Sequence, residues 1–504
     1  MILEATVHSS LLAYLREQNP SNWQHHLTMA RIIARTLRLQ RSAVIQTGHT
    51  FSALPSAKGI ARYSLSYLTP ALLADSPIIL VVPLKEQERL LSVEIPQLQE
   101  WLQTHKDIVR GHRWPESKSF QGLLLTTPED WLNDRINHLG HFPYNIPTLI
   151  DQSDRLAEWT TQQLTVTISP SDWQTLPEAV QSIYTQLHQL ILSHPKNPYE
   201  CFLIDETEKE ILEKLKPILS DLDSNSPFKK YLERIPDENQ IMWVSVNREA
   251  KEFTLNISPV EIANILQPIW EKQPVVLMGG FLDSEKTATI YRQQLGLPDV
   301  LSLKFSANQK SEYINLYIPD GFPLPNTPQF QGVLFQQIQT LVSLSQIRNE
   351  PIIIIIEDVP LKGQLASILA AEFGSRVQVE KTEIASNGIL VCGWQFWHNY
   401  QANFPIPQLL IIATLPIPSP ENPLVAGRIA YYKNHRQDWF RLYLLPTALR
   451  EIQRAVMPIR ESQGFVALFD NRVSSRSYGT KILSALEPYA RINYIDLSWF
   501  EKEN

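Results

Sequence analysis

The chain of 504 residues holds only two cysteines, Cys201 and Cys392, each inside an apolar run. Two thiols exclude a disulfide scaffold and any four-cysteine metal site, and apolar flanks are the usual surroundings of a buried free thiol. Long apolar runs are missing too. None approaches the roughly 20 residues that a membrane span needs, and the opening MILEATVHSSLLAYL lacks a basic leader segment. The expected compartment is therefore the cytoplasm, with no membrane partner. Positive charge is not in excess. A net charge of -7 and a pI near 6.0 exclude a polycationic nucleic-acid coat, so any such binding must come from a local basic groove. Internal repeats and low-complexity tracts are absent, and the 36 prolines are scattered at element edges.

What the chain does contain is ordinary globular material: 43% hydrophobic and 19% charged residues, with a length that suggests two or three domains. Short, β-branched apolar runs recur, among them SAVIQ, PIILVVPL, GLLLTTP, PVVLMGG, INLYIP, PIIIIIEDV, GILVCGW, QLLIIATLP and FVALFD. Runs of this kind suit parallel strands covered on both faces. Helical patterns fall between them, as in NWQHHLTMARIIARTLRL and LKGQLASILAAEF. The alternation predicts an α/β fold.

Residues 155–262 break the rhythm. Ser171 with Gln174 reads as a capping box opening a long helix, and Ile211, Leu215, Ile218 and Leu222 follow helical spacing. A mainly helical insertion is expected there. It divides the chain into 1–154 and 263–325 for a first domain and 326–504 for a second. The link is placed in the proline-rich IPDGFPLPNTPQFQ that runs to Gln331.

The order of segments resembles superfamily 2 DNA helicases of the DinG and XPD type over nearly the whole length. WQHHLTMARIIARTL is similar to the family's glutamine motif, with Gln24 in the matching place. TLIDQSDRL falls where the Asp-Glu-Ala-His box belongs, and PVVLMGGFLDSEK where active members read Ser-Ala-Thr-Leu. GWQFWHNYQANFPIPQLLIIATLPIPSPENPLVAGRI and LPTALREIQRAVMPIRESQGFVALFDNRVSSRSYG resemble the helicase C-terminal half. The resemblance implies two RecA-like parallel-sheet domains of the P-loop NTPase type, ATP with Mg²⁺ as cofactors, single-stranded DNA or RNA as ligand, and a monomer.

The chemistry expected of that family is eroded. A phosphate loop wraps phosphates in backbone N–H groups, neutralises them with a lysine and holds Mg²⁺ with a hydroxyl. Here Gly48 is followed by His49 and Thr50, and counting back from SYLTPALL puts Arg62 and Tyr63 at the glycine and lysine places and Ser64 at the hydroxyl place. Arg62 could meet a phosphate as a fixed cation; the bland alternative is a longer connecting loop. In the acidic box Asp151, the magnesium residue, remains, but Gln152 replaces the water-activating glutamate, and an amide cannot accept that proton. Asp205 and Glu206 imitate the box downstream, yet read better as a helix cap. In the arginine-finger segment Arg460 remains while Val456 and Met457 stand at the Gly-Arg pair. Such a finger is worth roughly 10³ to 10⁵ in rate.

Binding to nucleic acid does not need hydrolysis, since cationic grooves and aromatic faces suffice. Arg31, Arg35, Arg38 and Arg41 recur every three or four residues on one helix, and Arg450, Arg454, Arg460, Arg472 and Arg476 lie near the carboxyl end. Trp394 and Trp397 beside His398 could stack on a base or pack in the core. Three readings stay open. One is a catalytically silent scaffold that binds single-stranded DNA or a replication or repair partner. The second is a working ATP-dependent helicase whose divergent site uses Arg62 or Lys58, and the third is an interaction protein docking through the insertion. Some members of the family carry an iron–sulfur cluster on four cysteines. This chain cannot build that shell, so the purified protein should be colourless and free of stoichiometric iron by metal analysis.

Overall fold

The computed structural model describes residues 2–18, 23–48, 63–116, 120–174, 176–219, 223, 226–306, 313–345 and 350–496. Two seven-stranded sheets organise these residues, each wholly parallel. The first runs in the order Leu301–Lys304, Ala43–Gln46, Val275–Gly279, Thr148–Ile150, Ile78–Val81, Leu123–Thr126, Ile108–Arg110. The second runs Val377–Val379, Ile389–Cys392, Ile352–Ile355, Leu409–Ile412, Phe465–Leu468, Ile314–Tyr317, Tyr489–Ile492.

Continuous apolar runs form these strands because both faces are covered. Side chains alternate across a strand, so Ala43 and Ile45 join the core under the helices of one face while Val44 joins the core of the other. Ile353 and Ile355 part from Ile352 and Ile354 in the same way. The α/β expectation with two RecA-like sheets holds.

The domain boundary moves. Strand Ile314–Tyr317 pairs in the second sheet, between Phe465–Leu468 and Tyr489–Ile492. The chain therefore crosses between Lys304 and Ile314, upstream of the 325/326 boundary expected from the prolines. Those prolines shape the approach to helix Phe330–Ser345 inside the second domain.

The insertion is richer than expected. Its helices, including Gln181–Ser193, Glu206–Glu213 and Pro227–Arg234, pack on a four-stranded antiparallel sheet in the order Val166–Ile168, Glu252–Pro259, Gln240–Asn247, Cys201–Leu203. These strands are half-buried and alternate, with Val244, Val246, Phe253, Leu255 and Ile257 turned to the core. A search for wholly apolar runs passes over them. The capping box also shifts, from Ser171 and Gln174 to Ser169 and Asp172 on the short helix Pro170–Trp173. Asp205 does cap helix Glu206–Glu213, in a box with Glu208.

Gly296 ends helix Thr289–Leu295 at φ +64°, and a Cβ there would lie 2.3 Å from the Ala263 carbonyl oxygen. Only glycine satisfies both the left-handed backbone and the close approach. Gly296→Ala should cost more than the ~1 kcal/mol of left-handed strain alone, read as a lower urea midpoint; an unchanged midpoint would contradict this packing.

Candidate nucleotide site

Ligands of open parallel α/β sheets sit outside the carboxyl ends of the strands, and Gly48, Ser64, Asp151 and Gln152 lie there. Strand Thr148–Ile150, central in its sheet, ends in Asp151, which is fully buried. Facing it is the start of helix Ser64–Leu73. Tyr63 at its N-cap donates its phenol to Asp151 Oδ1 at 2.6 Å, and Tyr67, one turn on, donates to Oδ2 at 3.1 Å. The backbone N–H of Gln152 adds a third bond to Oδ1 at 2.7 Å. Gln152 holds a left-handed conformation at φ 53°, which bends the strand end so that this amide reaches back.

The electrostatics follow from burial. Desolvation raises the Asp151 carboxyl from its ordinary 3.8 to about 6, against the pull of the two phenols and the Gln152 amide. Burial and the neighbouring carboxylate push both phenols well above 10, so they stay protonated as donors. Glu86 shares the neighbourhood and is raised to about 7, chiefly by burial and in opposition to Arg89. Arg89 reaches the buried Glu94 at 3.0 Å and Glu86 at 3.7 Å. Oδ1 of Asp151 thus has both lone pairs engaged and Oδ2 has one. A magnesium shell wants accessible oxygens, and this donor set does not suit it. Among the described residues no group of three or more His, Cys, Asp or Glu could hold a metal ion.

The other expected residues separate into those near this centre and those outside it. Gly48 closes the first strand at φ +70°, its N–H bound to the Gly280 carbonyl at 3.1 Å. Ser64 is fully buried at the helix start. Gln24 is exposed and touches His25 at 3.3 Å. Arg62, with Lys58, His49 and Thr50, lies outside the described residues. Sequence reasoning missed His26, which is buried with Nδ1 2.9 Å from Ser66 Oγ, and the aromatic cluster beside it. Trp23 meets His26 and Phe305 edge-on at 5.0 and 5.6 Å, and His25 stacks on Phe305 at 4.8 Å. The signal was in the sequence, since Trp23, His25 and His26 flank the quoted glutamine.

Several candidates are engaged elsewhere. Arg460 is buried in the second domain and donates to the carbonyls of Leu486, Glu487 and Pro488 at 2.7, 3.2 and 3.1 Å, closing the end of helix Gly479–Leu486. That geometry replaces the expected catalytic placement with a capping one. Trp394 and Trp397 are buried, the latter donating to the Ala455 carbonyl at 3.1 Å, so neither offers a face to a base. His398 pairs with Glu451 at 2.5 Å and helps hold that carboxyl down at about 2. Arg454 is half-buried near the same glutamate, lowering it further. On the first helical cluster Arg38 grips Glu4 with two nitrogens, the shortest contact being 2.7 Å, while Arg31, Arg35 and Arg41 are exposed.

The raised carboxyls carry a pH signature. A group whose folded value lies above its ordinary one holds its proton more tightly in the folded state, so its contribution is greatest in acid and falls as pH rises. For Asp151 the window is 3.8 to about 6, and for Glu86 it is 4.5 to about 7. Asp151→Asn should flatten the lower part of the decline and leave the protein at least as stable as the parent above the window. Tyr63→Phe, which removes a donor from a buried carboxylate, should cost about 1–3 kcal/mol. Chemical denaturation across this pH range checks both.

Comparison with known proteins agrees with this framework. Residues 378–489 match the helicase C-terminal domain family. The ATP-dependent DNA helicase YoaA of Escherichia coli is 22% identical over 284 residues, covering 52% of this chain and 44% of that protein. The 3'-5' exonuclease DinG of Bacillus subtilis is 23% identical over 279 residues, covering 50% of this chain and 30% of that protein. The chain matches less than half the length of these curated relatives. Among solved structures, an XPD helicase covers 94% of this chain and 99% of its own at a TM-score of 0.61 and 11% identity. Xpd4 of S. tokodaii covers 93% and 100% at a TM-score of 0.58 and 12% identity. With two parallel sheets of this kind, a matching carboxyl-terminal domain family and the ordered segments between, the chain is similar to the DinG and XPD type of superfamily 2 helicases.

Proposed function

We propose that this protein is a DinG/XPD-like scaffold that does not turn over ATP and acts by binding single-stranded DNA, or a replication or repair partner. One observation carries the reading: the Tyr63 phenol stands where the family resemblance puts the phosphate lysine, and it donates to the carboxylate that would hold magnesium. A cation and a metal are thereby exchanged for a neutral donor and a filled acceptor. Gln152 removes the base as well, and Met457 is buried at the finger place. These losses touch phosphate charge, water activation and developing charge on the transferred group. Binding is supported by exposed cations on an acidic body, with Arg31 and Arg35 on the first domain and Arg441, Arg476 and Lys481 on the second. We place the protein in the cytoplasm as a monomer. Among the described residues no helix is long and apolar enough to cross a membrane.

Phosphate release should match a protein-free blank with and without single-stranded DNA. Gln152→Glu or Met457→Arg alone should restore nothing, because parts that act as a unit are non-additive. Filter binding of an oligonucleotide should weaken as salt rises. DNA-stimulated hydrolysis abolished by Asp151→Ala would establish the active helicase instead, and absence of salt-dependent binding would leave the interaction protein.

A further inference from the structure

We infer that the insertion is a strap that fixes the second domain against the first in a single orientation. It is rooted in the first domain, where helix Leu156–Leu164 packs on helix Pro128–Asn137. Its far side meets the second domain. Strands Cys201–Leu203 and Gln240–Asn247 lie against helix Pro423–Asn434. Gly427 sits in that seam, where a Cβ would come within 3.1 and 3.4 Å of the two methyls of Leu203 and 3.5 Å of the Ile241 methyl. The helix backbone itself is the contact surface, and a larger residue would lever the two bodies apart. One turn on, Tyr431 hydrogen-bonds to Glu261 of the insertion; burial first and that carboxylate second raise the phenol to about 12, with Asp237 also facing it.

A second seam joins the domains directly. Gln294 Nε2 donates to the Leu442 carbonyl at 2.7 Å, and Arg450 Nη1 reaches the Asp154 carbonyl at 3.4 Å. A domain held at one seam can still rock about it; a domain held at two seams built from different elements must break one to move. Paired RecA-like domains that turn over nucleotide open and close around it, and closure of that kind needs a hinge free to act. The strap removes that freedom here, so the surface formed jointly by the two domains keeps one shape whatever ligand is present.

The test is a distance measurement and does not depend on hydrolysis or on nucleic-acid binding. Cys201 and Cys392 are both buried, so nitroxides can be directed to the exposed positions of Glu129→Cys and Ser367→Cys, one in each domain. Pulsed electron resonance should give one narrow interspin distance, unmoved by a non-hydrolysable ATP analogue or an oligonucleotide. Gly427→Leu should broaden the distribution and speed amide exchange in Cys201–Leu203, with Gly427→Ala intermediate. A parent distribution that is broad or shifts with ligand overturns the inference. So does Gly427→Leu retaining both the parent distance and the parent exchange. Should Gly427→Leu fail to fold by circular dichroism, Gly427→Ala combined with Tyr431→Phe takes its place, and absence of broadening there has the same meaning.

Discussion

A buried carboxylate with no counterion must be compensated by hydrogen bonds or must take up a proton. At Asp151 the compensation comes from two phenols on one helix face and a bent backbone amide. Much else is arranged around that centre. The spacing of Tyr63 and Tyr67 requires the helix to begin where it does. The left-handed turn at Gln152 releases the chain toward Ser153, whose carbonyl accepts the Tyr291 phenol at 2.7 Å. That third phenol bond ties the acidic turn to helix Thr289–Leu295, and Asp154 beyond it reaches the second domain through Arg450. A line of polar contacts therefore runs from Tyr63 at the start of helix Ser64–Leu73 to the domain interface.

How much of this was legible follows from the periodicity each element carries. Strands such as Ile352–Ile355 and Leu409–Ile412 declare themselves because burial on both faces makes every residue apolar. The insertion strands conceal themselves, because a sheet covered on one side alternates and is easily absorbed into neighbouring helical patterns. The boundary error has the same origin: prolines mark bends, and a bend inside a domain looks like one between domains. INLYIP was visible as a strand, but nothing local says which sheet a strand will join, since pairing is decided by partners far away in sequence.

The site was half legible. Absence of the lysine and glutamate could be read directly from Tyr63 and Gln152. That the tyrosine would turn to the aspartate could not, because it depends on two elements 88 residues apart meeting at the carboxyl end of a central strand. For Trp394, Trp397 and His398 the sequence left stacking on a base and packing in the core both open, and their burial shows them serving the core.

Arg460 has one more lesson. It stands in a segment where Val456 and Met457 occupy the places of the Gly-Arg pair expected from the resemblance, and its guanidinium closes three carbonyls at the end of a helix. A motif position can be held by the architecture alone. Tallying the motif letters that persist in an enzyme-like chain therefore overcounts its remaining chemistry, because the letters that persist are weighted toward those the architecture also employs.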